Sequence, residues 1–213
     1  MVQVLKESVR QEILKCAKNK FLHKGFRQTS MSQIAYEANI TAANIYRYFK
    51  NKDALFEELI RPVIERYNSL FERMKTTVIP KACLLGIEMK KYDDADLADE
   101  INFIDSHRDE FYLLFFCASG SKREKFVEEI TEKISQTNYN YFQAIKQKDP
   151  EFMEIPPSFM NVFASLKISL YKEIIRNNLS KETLQNLFEL LTITTQKGWQ
   201  GLLENLETTT NNL

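Results

Sequence analysis

Along residues 41–53, TAANIYRYFKNKD, the side chains are suited to hydrogen bonding and charge pairing, not to breaking covalent bonds. Asn44 carries an amide that donates and accepts in one plane, as an adenine edge in a major groove requires, and the methyl groups of Ala42 and Ala43 match the methyl of thymine. Lys52, beside the start of a helix, is able to meet a phosphate. The 213 residues contain no Gly-rich phosphate loop, no His-Glu-x-x-His run, no nucleophile elbow and no carboxylate pair with an obvious partner, so an enzyme is not expected.

Such groups read a surface only if short, well-stopped elements hold them. Ser30 with Gln33 three residues on forms a capping-box pattern, which predicts a helix starting at Met31 with Ile34, Ala35 and Ala38 on one face. Asn39 is the exit residue, because asparagine tolerates the left-handed backbone of a sharp turn. Thr41 caps the next helix. Ile45 and Phe49, four apart, face inward and leave Ala42, Ala43, Asn44, Arg47 and Tyr48 largely outward. Asn51 caps a third helix with Asp53 in its first turn and Lys52 beside it. This is the pattern of a DNA-reading helix-turn-helix, although three short helices also pack this way in proteins that bind no DNA.

The stretches IL-x-x-A, TSMSQIAYEANIT and IYRYFKNKDAL resemble the tetracycline-repressor (TetR) family of bacterial transcription regulators, over about residues 8–58. Ile13, Leu14, Ala17, Phe21, Gly25, Phe26, Thr29, Ile34, Ala35, Ala38, Tyr46, Tyr48, Phe49, Lys52 and Leu55 stand where that family's pattern expects them. Asn39 replaces a usual Gly, Ser30 a usual Thr, and Ala43 a common Gly. The resemblance implies base-edge contacts from Ala42, Ala43, Asn44 and Tyr46. It implies DNA-backbone contacts from Thr29, Thr41, Arg47, Tyr48 and Lys52. It also implies an effector held in a C-terminal helical body, a region too divergent for any residue match to carry across.

Charge distribution agrees with a nucleic-acid partner. The whole chain is neutral, with 29 basic and 29 acidic residues, but residues 1–53 hold ten basic and four acidic side chains, a net +6, leaving −6 for the remainder. A basic head attracts phosphates and makes binding salt-sensitive, while an acidic body discourages nonspecific wrapping.

With five Gly and five Pro in all, the composition favours helices, and an all-α fold is expected. Residues 1–52 form the helix-turn-helix domain, and residues 53–213 a helical-bundle domain for effector binding and dimerisation. No run reaches the ~20 apolar residues of a membrane span and the N-terminus lacks an apolar signal core, so a cytoplasmic protein is expected. Cys16, Cys83 and Cys117 fit no metal or redox motif and read as reduced, packed thiols, with a redox-sensing Cys117 as the alternative. His107, in DSHRDE, has no second ligand at metal spacing and reads as part of a solvated charged turn. His23 reads as the end of the first helix. Neither a metal nor another cofactor is expected.

A long helix should start near Lys52 and kink or restart at Pro62. Further helices are predicted near 82–91, 95–106, 108–118, 122–147, 157–178 and 181–206, the last capped by Ser180 with Thr183, and the tail TTTNNL should fray. The central helices are rich in aromatics, which fill a core or line a small-molecule cavity. The cavity candidates are Phe103, His107, Phe111, Phe115, Cys117 and Tyr141, suited to an aromatic or apolar effector. Phe163, Leu166, Leu170, Ile174, Leu184, Leu187, Leu191, Ile193 and Leu202 exceed what one helix face needs, which predicts a homodimer through the last two helices. A twofold dimer also places two reading helices about 34–36 Å apart on successive turns of DNA. The expected function is a ligand-responsive repressor on a palindromic operator. An activator, a nonspecific architectural DNA binder and a small-molecule carrier or enzyme remain open alternatives.

Overall fold

Five glycines and five prolines leave long helical runs, and Gly25, at φ 74°, marks a break in the first of them. The computed structural model describes residues 2–80 and 94–210, and the described residues form α-helices with no strand. In order they are α1 (Val2–Gln28), α2 (Met31–Glu37), α3 (Ala42–Ile45), α4 (Lys52–Arg73), α5 (Asp94–Ser106), α6 (Arg108–Tyr112), α7 (Phe126–Lys148), α8 (Pro157–Arg176) and α9 (Lys181–Thr210). π-Helical turns follow α4 at Met74–Val78 and α6 at Leu113–Cys117. The helix predicted near 82–91, with Cys83, lies outside the described residues.

Two compact units are present. The first comprises residues 1–68 and 107–129, the second residues 69–106 and 130–213. In the first unit, Ile13, Ala17 and Phe21 of α1 lie fully buried at helical spacing, together with Ile34, Ile45, Leu55, Phe56 and Ile60. Phe21, Phe26 and Phe56 form an aromatic triangle with centroids 5.3–5.6 Å apart, two of the three contacts edge-on, as ring quadrupoles favour. The segment Leu113–Cys117 runs against α1.

In the second unit α9 packs on α5, and Met160, Ala164, Ile168, Tyr171 and Ile174 of α8 are buried. The Tyr171 hydroxyl donates to Glu100 Oε1 at 2.9 Å, satisfying a polar tip inside the core. Phe152, Ile155, Ile145 and Met160 make a further cluster that pins the α7–α8 connection.

Several boundaries differ from the sequence-based expectation. α4 continues to Arg73 and does not restart at Pro62. The helix expected over 108–118 changes to π geometry at Leu113, and residues 122–125 form a turn before α7 instead of its first turn. α9 extends to Thr210, past the predicted end at 206. Among the described residues, no helix is long and apolar enough to cross a membrane.

Candidate nucleic-acid interface

Every stop signal in residues 29–54 is made. Ser30 Oγ accepts the Gln33 N–H at 3.2 Å and Gln33 Oε1 accepts the Ser30 N–H at 3.0 Å, closing the capping box of α2. At its other end Asn39 takes φ 54°. The Ile40 N–H donates to Ala35 O at 3.0 Å and the Asn39 N–H to Tyr36 O at 3.1 Å, a Schellman stop that reverses the chain in three residues. Thr41 Oγ1 caps α3 by accepting the Asn44 N–H at 3.1 Å, and Asn51 Oδ1 caps α4 by accepting the Ala54 N–H at 2.8 Å.

α3 itself is a single turn, continued by hydrogen-bonded turns through Phe49. Ile45 and Phe49, both buried, anchor its inner face. Thr41, Ala42, Ala43, Tyr46 and Arg47 are exposed, Tyr46 to 54%, while Asn44 and Tyr48 are half-buried. The four expected base readers and three of the expected backbone contacts therefore share one short outward segment.

Thr29 and Lys52 are placed differently. Thr29 is buried and its hydroxyl donates to Gly25 O at 2.8 Å, across the point where α1 breaks, with Gly25 at φ 74°. The Lys52 ammonium donates to Phe26 O and Thr29 O, each at 2.7 Å, and lies 4.1 Å from the Phe26 ring centroid. Two of its three N–H bonds thus close the end of α1, which ties α1, α2 and the start of α4 together. Burial draws its pKa below the ordinary lysine value. The Asp53 carboxylate beside it opposes that effect.

Much of the positive charge counted in the head is already paired. Arg10 lies 3.1 Å from Glu58 and 5.1 Å over the Phe49 ring, so it braces the end of the recognition segment. Lys18 meets Asp109 at 2.9 Å and Glu110 at 3.0 Å, Lys20 meets Glu37, and Arg27 meets Glu124 at 3.3 Å. The charged run at 105–110 is therefore more than a solvated turn, because two of its acids grip α1. Burial lowers the Lys18 pKa, but the hydrogen bonds and charges of Asp109 and Glu110 together outweigh burial and raise it. Lys24, Arg47 and Lys50 are exposed and enter no ion pair among the described residues.

The six cavity candidates divide between the units. Phe111, Phe115 and Cys117 are buried in the first, with Phe111 edge-on to Tyr67 at 6.4 Å and Phe115 5.7 Å from Phe111. His107, half-buried, precedes them at the α5–α6 junction. Phe103 and Tyr141 belong to the second unit, both half-buried. Burial raises the thiol pKa of Cys117, and burial together with Glu12 raises that of Cys16, so both thiols stay protonated at neutral pH. Among the described residues no group of three or more His, Cys, Asp and Glu side chains is arranged to hold a metal ion.

Residues 13–59 match the family of bacterial regulatory proteins described as tetR. The uncharacterized helix-turn-helix-type transcriptional regulator YdgC of Bacillus subtilis is 30% identical over 122 residues, covering 54% of this chain and 57% of that protein. YhgD of the same organism, described in the same terms, is 24% identical over 199 residues, 85% of this chain and 93% of that one. The crystal structure of NalD, the secondary repressor of the MexAB-OprM multidrug efflux pump in Pseudomonas aeruginosa, aligns with a TM-score of 0.55 at 19% identity. It covers 88% of this chain and 95% of NalD, a likeness of fold.

Proposed function

We propose, from the premise that this chain belongs to the tetR family of bacterial regulatory proteins and is a DNA-binding transcription regulator and not an enzyme, that it represses transcription as a homodimer on a palindromic operator. The observation that carries this reading is the recognition segment, capped at Thr41, anchored by Ile45 and Phe49, and outwardly small and polar over residues 42–47. Ala42, Ala43, Asn44 and Tyr46 read base edges, and an A·T-containing half-site suits Asn44 and the two alanines. Thr41, Arg47 and Tyr48 hold the DNA backbone, joined by the remaining N–H of Lys52, while the buried Thr29 only fixes the entry to α2.

A repressor role accords with NalD, which is itself a repressor. A single recognition helix reads too few base pairs to be selective, so two heads related by a twofold axis are required. The dimer forms through α8 and α9, and an aromatic or apolar effector held in the helical body changes operator affinity. Its leverage equals the difference in its affinity for the DNA-fitting and non-fitting arrangements. Residues 1–52 supply the reading and residues 53–213 the control, in the cytoplasm where the DNA is.

Selection of random duplex DNA by the purified protein at near-physiological salt tests this. Enrichment of a twofold-symmetric site is expected. Retention without base preference would instead identify a nonspecific architectural binder, whose affinity comes from phosphates alone.

A further inference from the structure

The turn at residues 119–125 is fastened to the DNA-reading head at three points, all within the first unit. The Lys122 backbone N–H donates to Asp53 Oδ1 at 3.0 Å. Arg123 holds Glu57 through two parallel bonds of 2.8 and 2.7 Å. Glu124 meets Arg27 at 3.3 Å, at the end of α1. Gly120 completes the fit: it has φ 85°, and a Cβ there would come within 3.3 Å of Arg27 Nε. The bidentate Arg123–Glu57 pair is the geometry that fixes orientation as well as distance.

This fastening has an electrostatic consequence. Asp53, Glu57 and Glu124 are each engaged by a backbone N–H, by Arg123 or by Arg27. The side chain of Lys122 is exposed and enters no ion pair among the described residues. Its backbone is held against Asp53, the second residue of α4, next to Lys52 and four residues beyond Phe49, where the recognition segment ends. A four-carbon stem carries an ammonium roughly 6 Å from its Cα. Here α4 begins, and its positive end and Lys52 offset the Asp53 carboxylate that holds the Lys122 backbone. A cation free of ion pairs, tethered by its backbone to the first turn of α4, suits a phosphate.

We propose that Lys122 is a DNA-phosphate contact outside the helix-turn-helix, gripping the backbone at the edge of the half-site that α3 reads. The proposal rests on the operator-binding reading above. Lysine at such a site acts as a point charge without base preference, so its removal should alter salt dependence and leave sequence preference intact.

The test measures operator affinity against salt for wild type, Lys122→Ala and Lys122→Arg, on a duplex with long flanks and on one trimmed to the half-sites. On the long duplex the Lys122→Ala slope of log affinity against log salt should shrink by about 0.9 per half-site, about 1.8 for a twofold dimer. Lys122→Arg should restore it, base preference should not change, and on the trimmed duplex the three proteins should coincide. An unchanged slope for Lys122→Ala on the long duplex, or an altered base preference, would overturn the proposal while leaving operator binding in place. A wild-type protein that retains no symmetric site would remove both readings at once.

Discussion

Two of the three N–H bonds of Lys52 end on the Phe26 and Thr29 carbonyl oxygens, so this side chain holds the head together whatever else it touches. Lys52→Met keeps the stem against Phe26 and removes both bonds, which should cost about 1.5–3 kcal/mol or more, the range for a hydrogen bond to a charged donor. Thermal unfolding followed by circular dichroism measures it, and an unchanged midpoint would mean that the two carbonyls are satisfied by water instead. The cysteines give a second residue-scale prediction. Because burial raises the Cys16 and Cys117 pKa values, their thiolate fraction near pH 8 is below that of a free cysteine. Alkylation of both in the folded protein should be much slower than after denaturation, as read by mass spectrometry of the separate peptides. Labelling of native Cys117 at the free-thiol rate would revive the redox-sensing alternative.

At the scale of elements, the turn between α2 and α3 depends on Asn39 holding a left-handed backbone. A β-branched residue resists that conformation and glycine does not, so Asn39→Val should cost about 1–2 kcal/mol of stability while Asn39→Gly costs none. Denaturant midpoints decide it, and equal losses for both variants would shift the role from the backbone to the asparagine side chain. The same stop recurs after α8, where Asn178 has φ 47° and the Leu179 N–H reaches Ile174 O at 3.3 Å. Caps and turns of this kind are local in sequence, which is why Ser30, Asn39, Thr41, Asn51 and Ser180 could be read directly as boundaries. The π segment at Leu113–Cys117 could not, because a shift from i+4 to i+5 bonding leaves no residue signature. The partners of Lys18 and Arg10 were equally illegible. Lys18 pairs with Glu110, 92 residues away, and Arg10 with Glu58 on a different helix, so charges that count as open in the sequence are closed in the fold.

For the whole molecule, the apolar surface of α8 and α9 argues for a partner. On α8 the buried Met160, Ala164, Ile168 and Tyr171 lie on one face. Phe159, Val162 and Leu166, 43–64% exposed, lie roughly opposite when turned at about 100° per residue. On α9, Leu184 and Phe188 are buried, while Leu190 and Ile193 are 62% and 50% exposed on the other side. A helix apolar on two faces has a second surface to bury, and two neighbouring helices of this kind suit a four-helix interface between two copies. Val162 and Leu190 emerge as members of this face only from the structure, whereas Ile174 and Leu184, which the sequence pattern groups with it, lie in the protomer's own core. Leu166→Asp combined with Leu190→Asp alters side chains that are exposed within one protomer, so helix content should be unchanged. Two carboxylates per chain would nonetheless be desolvated in the proposed interface, and analytical ultracentrifugation should find a monomer. Affinity for a full palindrome should then fall by about 10²-fold or more, towards that of one half-site, because the second head no longer binds from within the same complex. A double variant that sediments as a dimer would move the interface to another face of the bundle, and a monomer that kept full palindrome affinity would separate operator reading from dimerisation.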